Sequence, residues 1–230
     1  VQEDGPVAEA IEVGDEAMGA AAASPNPGSG PGDENRLRIL RAAERLMADQ
    51  GIDGVSLREI NREAGQKNAS AIQYHFGGRD QLLVAVLARH QARTSPRRTE
   101  LLDAWEAQGE GADDVPGLAA ALVVPVVERL TDPDGGRDYL QIANEFYARA
   151  RSLADLGANA DPTGSMARWH ALVVETVPGA DGPYPTRFAA VRLTMGELAR
   201  RAQDPPRGDD AAFAGHLTRL VAAVLRAGSS

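Results

Sequence analysis

The chain has 230 residues, 43% hydrophobic and 4% aromatic, enough for one or two domains whose core is built mainly from Ala, Leu and Val. It has no cysteine, which excludes disulfides and thiolate metal sites and fits a reducing, cytoplasmic setting. No apolar run nears the ~18 residues of a membrane-spanning helix, so no membrane partner is expected.

The net charge of −9 is unevenly spread. Residues 1–34 carry eight acids and no base, residues 35–98 twelve bases and six acids, and residues 99–230 twelve bases and nineteen acids. A basic segment therefore lies between two acidic ones. A polyanion responds to the local field, within a Debye length of about 8 Å at physiological salt, so this is a footprint of nucleic-acid binding. Chance clustering of arginines on helices is the alternative.

Residues 1–34 mix acids, small residues, Pro and Gly, a composition expected to stay disordered. They have neither the basic start nor the leucine-rich stretch of a secretory signal. "GSGPG" is linker composition, not a phosphate loop, because no strand precedes it and no Lys-Ser or Lys-Thr follows. A first helix follows from Asn35, with Leu37, Leu40, Ala43, Leu46 and Met47 at helical spacing and Gly51 as its left-handed cap. Ser56 and Glu59 have the spacing of a capping box, and Val55 and Ile60 that of a hydrophobic staple. A short second helix carries Leu57, Ile60 and Ala64 on one face and ends at Gly65. The third element is "NASAIQYHFGGRDQLL", residues 68–83. Three short helices in close succession have the form of a helix-turn-helix domain.

A helix turns by about 100° per residue, so with Ala69 at about 0°, Ile72 and Phe76 share its apolar face at about 300° and 340°. On the same scale Ser70, Tyr74 and Lys67 fall at about 100°, 140° and 160°, on the opposite face, flanked by Gln73 and His75. That face offers a cation, a hydroxyl and a phenol, donors suited to phosphates and base edges. The alternative is an ordinary exposed surface with His75 capping a carbonyl.

Further helices are predicted at 80–93, 97–108, 115–131, 135–154, 163–177, 184–203 and 209–227, separated by breaks rich in Pro and Gly. "DPDGG" at 132–136 has two acids of a calcium loop but no later ligand, and reads as a turn. Trp105, Tyr139, Phe146, Tyr147, Met166, Trp169 and His170 gather aromatic and polar character in an aromatic-poor chain, as either a ligand pocket or plain core. Phe188, Val191, Met195, Leu198 and Ala202 line one late helix, and Phe213, Leu217, Leu220, Val221 and Val224 the other. Intramolecular packing alone accounts for such stripes.

The string from Gly54 to Leu83 resembles the DNA-binding domain of the TetR family of bacterial transcriptional regulators. The residues that carry the likeness are Gly51, Ser56, Ala64-Gly65, His75-Phe76, Gly78, Arg79, Asp80 and Leu82-Leu83. Two departures are Gln73, where the family often has Tyr, and a turn after Gly65 one residue longer than usual. The resemblance covers about residues 36–90. It implies an all-α protein: a helix-turn-helix DNA-binding domain at 35–80 after an acidic tail at 1–34, then a helical ligand-binding and dimerisation domain at 81–230.

By position, Lys67, Asn68, Ser70 and Ala71 would meet base edges, and Gln73, Tyr74 and His75 backbone phosphates. Ser56, Arg58, Arg79, Arg36 and Arg38 would also reach the phosphate backbone. The resemblance further implies a homodimer joined through the last two helices, a palindromic double-stranded operator, a small-molecule effector and a repressor's role, with no cofactor. Two rivals stay open: control by a protein partner without a ligand, and an all-helical enzyme. The second lacks G-x-S-x-G and H-E-x-x-H motifs, and its four histidines are scattered.

Overall fold

A computed structural model describes residues 31–68, 70–108, 115–149, 163–182, 185–205 and 208–227. The tail before residue 31 and the expected helical segment 150–154 lie outside them, as does Ala69. Among the described residues the fold is all-α. Its helices are α1 Pro31–Gln50, α2 Leu57–Glu63, α3 Ala71–Phe76, α4 Arg79–Glu106 and α5 Val115–Val127, followed by a 3-10 turn at Glu128–Thr131. Then come α6 Gly136–Arg149, α7 Ser165–Thr176, α8 Thr186–Gln203 and α9 Asp210–Arg226.

α1 starts within the stretch assigned to the tail. Pro31 has no N–H to leave unsatisfied at a helix start, and Asp33 and Glu34 place negative charge in the first turn. α2 is capped as its spacing requires: Ser56 Oγ accepts from the Glu59 amide at 3.2 Å, and Glu59 Oε2 accepts from the Ser56 amide at 2.8 Å. α3 stops at Gly77, whose φ of 82° is left-handed and whose N–H bonds Gln73 O.

The two helices expected at 80–93 and 97–108 are one, with Pro96 inside it. The proline removes one helical hydrogen bond, but Val86, His90, Thr94, Arg98 and Leu102 are all buried along the same helix. Packing against α1, α5, α6 and α7 carries the rod through a local break signal. Pro125 poses the same problem in α5, since it cannot bond the Ala121 carbonyl. That carbonyl instead accepts from Arg98 Nε at 3.2 Å.

α9 packs on α5, α8 on α6, and α5 on α4. α1 packs on α6, so the three-helix N-terminal unit shares one continuous hydrophobic core with the rest. Trp169 lies fully within that core and donates from Nε1 to Leu118 O at 2.8 Å.

Candidate nucleic-acid interface

α3 buries Ala71, Ile72 and Phe76 and turns Tyr74 outward, 84% exposed, the largest exposed apolar side chain described. The His75 ring meets Tyr74 edge-on at 5.0 Å. Gln73 is exposed and donates to Gly77 O at 3.0 Å.

Lys67 and Asn68 precede the helix rather than continuing it. Lys67 is exposed in the turn, with no hydrogen bond or ion pair to a described residue. Asn68 Oδ1 accepts from the Ser70 amide at 3.0 Å and from Ser70 Oγ at 2.7 Å, an Asx turn that launches α3. Beside this element, Arg58 on α2 is exposed and likewise without a partner among the described residues. Lys67, Arg58, Tyr74 and Gln73 form the outward donor set.

Several assigned residues are engaged otherwise. Ala71 is buried and presents no side chain to solvent. Arg79 donates from Nη1 to Ile52 O at 2.8 Å and from Nη2 to Val55 O, so its guanidinium braces the α1–α2 turn. Ser56 Oγ donates to Glu59 Oε2 at 2.7 Å within its capping box. Arg36 lies half-buried over the Phe76 ring at 5.0 Å, where burial lowers its pKa despite nearby Asp33. Arg38 is exposed and donates to Asn35 Oδ1.

The aromatic set is packed as core. Tyr139 is 2% exposed and stacks on His90 at 4.5 Å. Phe146 and Tyr147 meet edge-on at 5.4 Å. Trp105 covers Gly117, where a Cβ would overlap its ring, and Met166 packs against the same core. His170 sits between Trp169, at 5.0 Å, and Phe188, at 6.0 Å. Burial, together with the nearby charges of Arg187 and Arg98, pushes its pKa down to about 4. The surface cleft between α5 and α9, lined by Val124, Val127, Ala211 and Ala214, includes none of this set.

The stripes assigned to dimerisation are mostly intramolecular. Val191, Met195 and Leu198 of α8 and Leu217 and Val221 of α9 are buried within this one chain. Phe188 and Phe213 are half-buried beneath Arg187 and Arg201, at 5.0 and 4.4 Å. Val224 is half-buried, and Leu220 is 40% exposed.

Two polar features had no counterpart in the sequence reading. Glu44 of α1 is buried, pairs with Arg89 at 2.5 Å and also meets His90, both on α4. The same arginine pairs with Asp134 in the turn before α6, and Arg93 holds Asp134 at 2.6 Å and Asp132 at 2.7 Å. Burial raises the Asp134 pKa, but the hydrogen bonds from Arg93 and Arg89 outweigh it and hold it well below the usual carboxylate range. The acids of "DPDGG" are therefore ion-paired turn residues. The second feature is Arg98, buried in the middle of the C-terminal helices.

Residues 39–86 match the model of the family described as bacterial regulatory proteins, tetR family. The HTH-type transcriptional regulator SrpR of Pseudomonas putida is 39% identical over 59 residues, 26% of this chain and 27% of its own. The uncharacterized HTH-type transcriptional regulator TtgW, also of Pseudomonas putida, is 40% identical over 58 residues, 25% of this chain and 42% of its own. The match thus spans less than half the length of either relative. Among solved structures, NalD, the secondary repressor of the MexAB-OprM multidrug efflux pump in Pseudomonas aeruginosa, aligns over 83% of this chain and 96% of its own. Its TM-score is 0.50 at 23% identity, a likeness of fold. The N-terminal unit is a tetR-family helix-turn-helix domain over the matched residues. No described helix is long and apolar enough to cross a membrane.

Proposed function

We propose that this protein is a cytoplasmic transcriptional repressor that binds a palindromic operator as a homodimer and is released by a small-molecule effector. The observation that carries the reading is the outward set of Tyr74, Lys67, Gln73 and Arg58, on a buried, capped scaffold within the basic segment of an otherwise acidic chain. Cations and a phenol in that arrangement suit phosphate contacts and base edges of the major groove. One six-residue recognition helix makes few contacts, and a two-fold dimer doubles them at half-sites about 34–36 Å apart.

The dimer face that supports this is the outward side of α9, not the buried stripe: Leu220 with Ala212, Gly215 and Ala223, all exposed. Exposed His216 and Arg219 flank these residues on the same face. The effector would act in the C-terminal helices by favouring a conformation whose recognition helices no longer match successive grooves, and a hundredfold release requires about 2.7 kcal/mol of differential binding. The test is operator affinity. Tyr74→Ala and Lys67→Ala should each weaken it about tenfold without changing helix content or oligomeric state. Unchanged affinity in both variants would remove α3 from the interface.

A further inference from the structure

Arg98 is 3% exposed, on the face of α4 that meets α5 and α7. Its hydrogen-bond partners among the described residues are both neutral: Ala121 O, at 3.2 Å from Nε, and Ser165 Oγ, at 3.2 Å from Nη1. No carboxylate among the described residues pairs with it. Burial lowers its pKa, opposed only by two phenols, Tyr139 and Tyr147, and a guanidinium remains protonated even so. The other buried arginines are neutralised: Arg89 by Glu44 and Asp134, Arg187 by Asp181. An unpaired buried cation costs several kcal/mol. Repair of the Ala121 carbonyl accounts for one N–H, which a neutral amide could also supply; it does not account for the charge.

Among the described residues, no nearby group adds negative charge. His170 is close enough for Arg98 to depress its pKa, and its buried Nδ1 has no partner among the described residues. Tyr139 and Tyr147 lie close enough to interact with the Arg98 charge, and His170 meets Trp169 edge-on at 5.0 Å.

We propose that the interior between α4, α5 and α7 binds a carboxylate-bearing apolar small molecule, whose anionic group pairs with Arg98. The inference rests on the effector-binding reading above and names the class of effector. One planar guanidinium with no carboxylate partner among the described residues suits a monocarboxylate, through two parallel N–H···O bonds. The carboxylate displaces Ser165 Oγ from Nη1 and so loosens α7 from α4. At the solvent edge of that seam, Arg168 of α7 holds Asp103 and Glu106 of α4, each at 2.6 Å. α7 is the element expected to move.

The experiment measures thermal unfolding and tryptophan fluorescence of the full chain with benzoate, phenylacetate, hexanoate and octanoate, each beside its carboxamide at equal ionic strength. At least one carboxylate should raise the melting temperature while its amide does not. Arg98→Gln, which keeps a donor for Ala121 O, should weaken that carboxylate about tenfold or more. Ser165→Ala, which keeps the charge, should retain binding. The proposal is overturned if no carboxylate stabilises the wild-type chain, if the amides match the acids, or if Arg98→Gln binds unchanged. Because the acid–amide comparison is made on the wild-type chain, it decides the matter even if Arg98→Gln does not fold. Operator affinity is measured alongside. Acids that bind at Arg98 without releasing DNA would leave this site standing and remove effector release. Release by neutral compounds alone would do the reverse.

Discussion

Glu145 of α6 accepts a hydrogen bond from the backbone amide of Ile52, at 2.8 Å, in the turn that joins α1 to α2. Arg149, one helical turn further along, pairs with Asp53 at 2.5 Å. The same turn is held from the other side by Arg79, through the carbonyls of Ile52 and Val55. A helix of the C-terminal portion and the first residue of α4 thus grip the connection on which the second helix depends. α6 is thus linked to this turn directly, through side chains rather than through a loop.

Glu145→Ala should therefore destabilise the chain by about 1.5–3 kcal/mol, the scale of a hydrogen bond to a charged group. Glu145→Gln should recover most of the loss. If the turn transmits effector binding, Glu145→Ala should also shrink the effector-induced change in operator affinity. Titrations of operator with and without effector measure this, and an unaltered ratio would assign Glu145 to stability alone.

Gly135 adopts a φ of +82°, and a Cβ there would overlap the Glu44 carboxylate. Gly135→Ala adds backbone strain to a steric conflict with a buried, ion-paired group, a combination expected to cost about 2–4 kcal/mol. Equilibrium unfolding in urea should show a lower midpoint, and an unchanged midpoint would mean that Glu44 does not sit against this turn in solution.

Ser56→Ala removes the acceptor for the Glu59 amide and should destabilise the chain by about 1 kcal/mol. Ser56→Thr, which keeps the hydroxyl that both accepts from the Glu59 amide and donates to its carboxylate, should restore most of it. Thermal melts of the two variants test the capping box apart from any effect on DNA.

His170 gives stability a pH dependence of definite sign. Its folded pKa, about 4, lies below the ordinary value of 6.5, so between those values the unfolded chain takes up a proton that the native chain does not. Its contribution is fully present above pH 6.5 and is lost as the pH falls toward 4, by roughly 3 kcal/mol in all. His170→Gln should flatten the stability profile across that window. Asp134, with its depressed pKa, acts in the same direction at lower pH. A profile that keeps its slope in His170→Gln would contradict the buried neutral imidazole.

Features set by neighbours in the chain were legible before the structure. The Ser56–Glu59 box is a three-residue relation, and the angular argument for Ile72 and Phe76 inward and Tyr74 outward needs only the pitch of a helix. Lys67 escaped that argument because α3 begins only at Ala71, with Ser70 as its N-cap, so the pitch cannot be extrapolated behind it. Pro96 reads as a break locally, yet packing on α1, α5, α6 and α7 carries α4 through it. The stripes on α8 and α9 show that a face is covered without saying by what; α5 and α6 cover it within one chain. Glu44, Arg89, His90 and Arg98 were illegible as a group for the same reason. A buried charge is recognised by its partners, and Glu44 and His90 lie 46 positions apart.

The most direct measurement of the central claim is selection of bound duplexes from a random pool by the intact protein at moderate salt. The expected product is a palindrome whose half-sites are separated by a whole number of helical turns, with binding lost in Tyr74→Ala. Enrichment of no sequence over bulk genomic DNA would contradict the account.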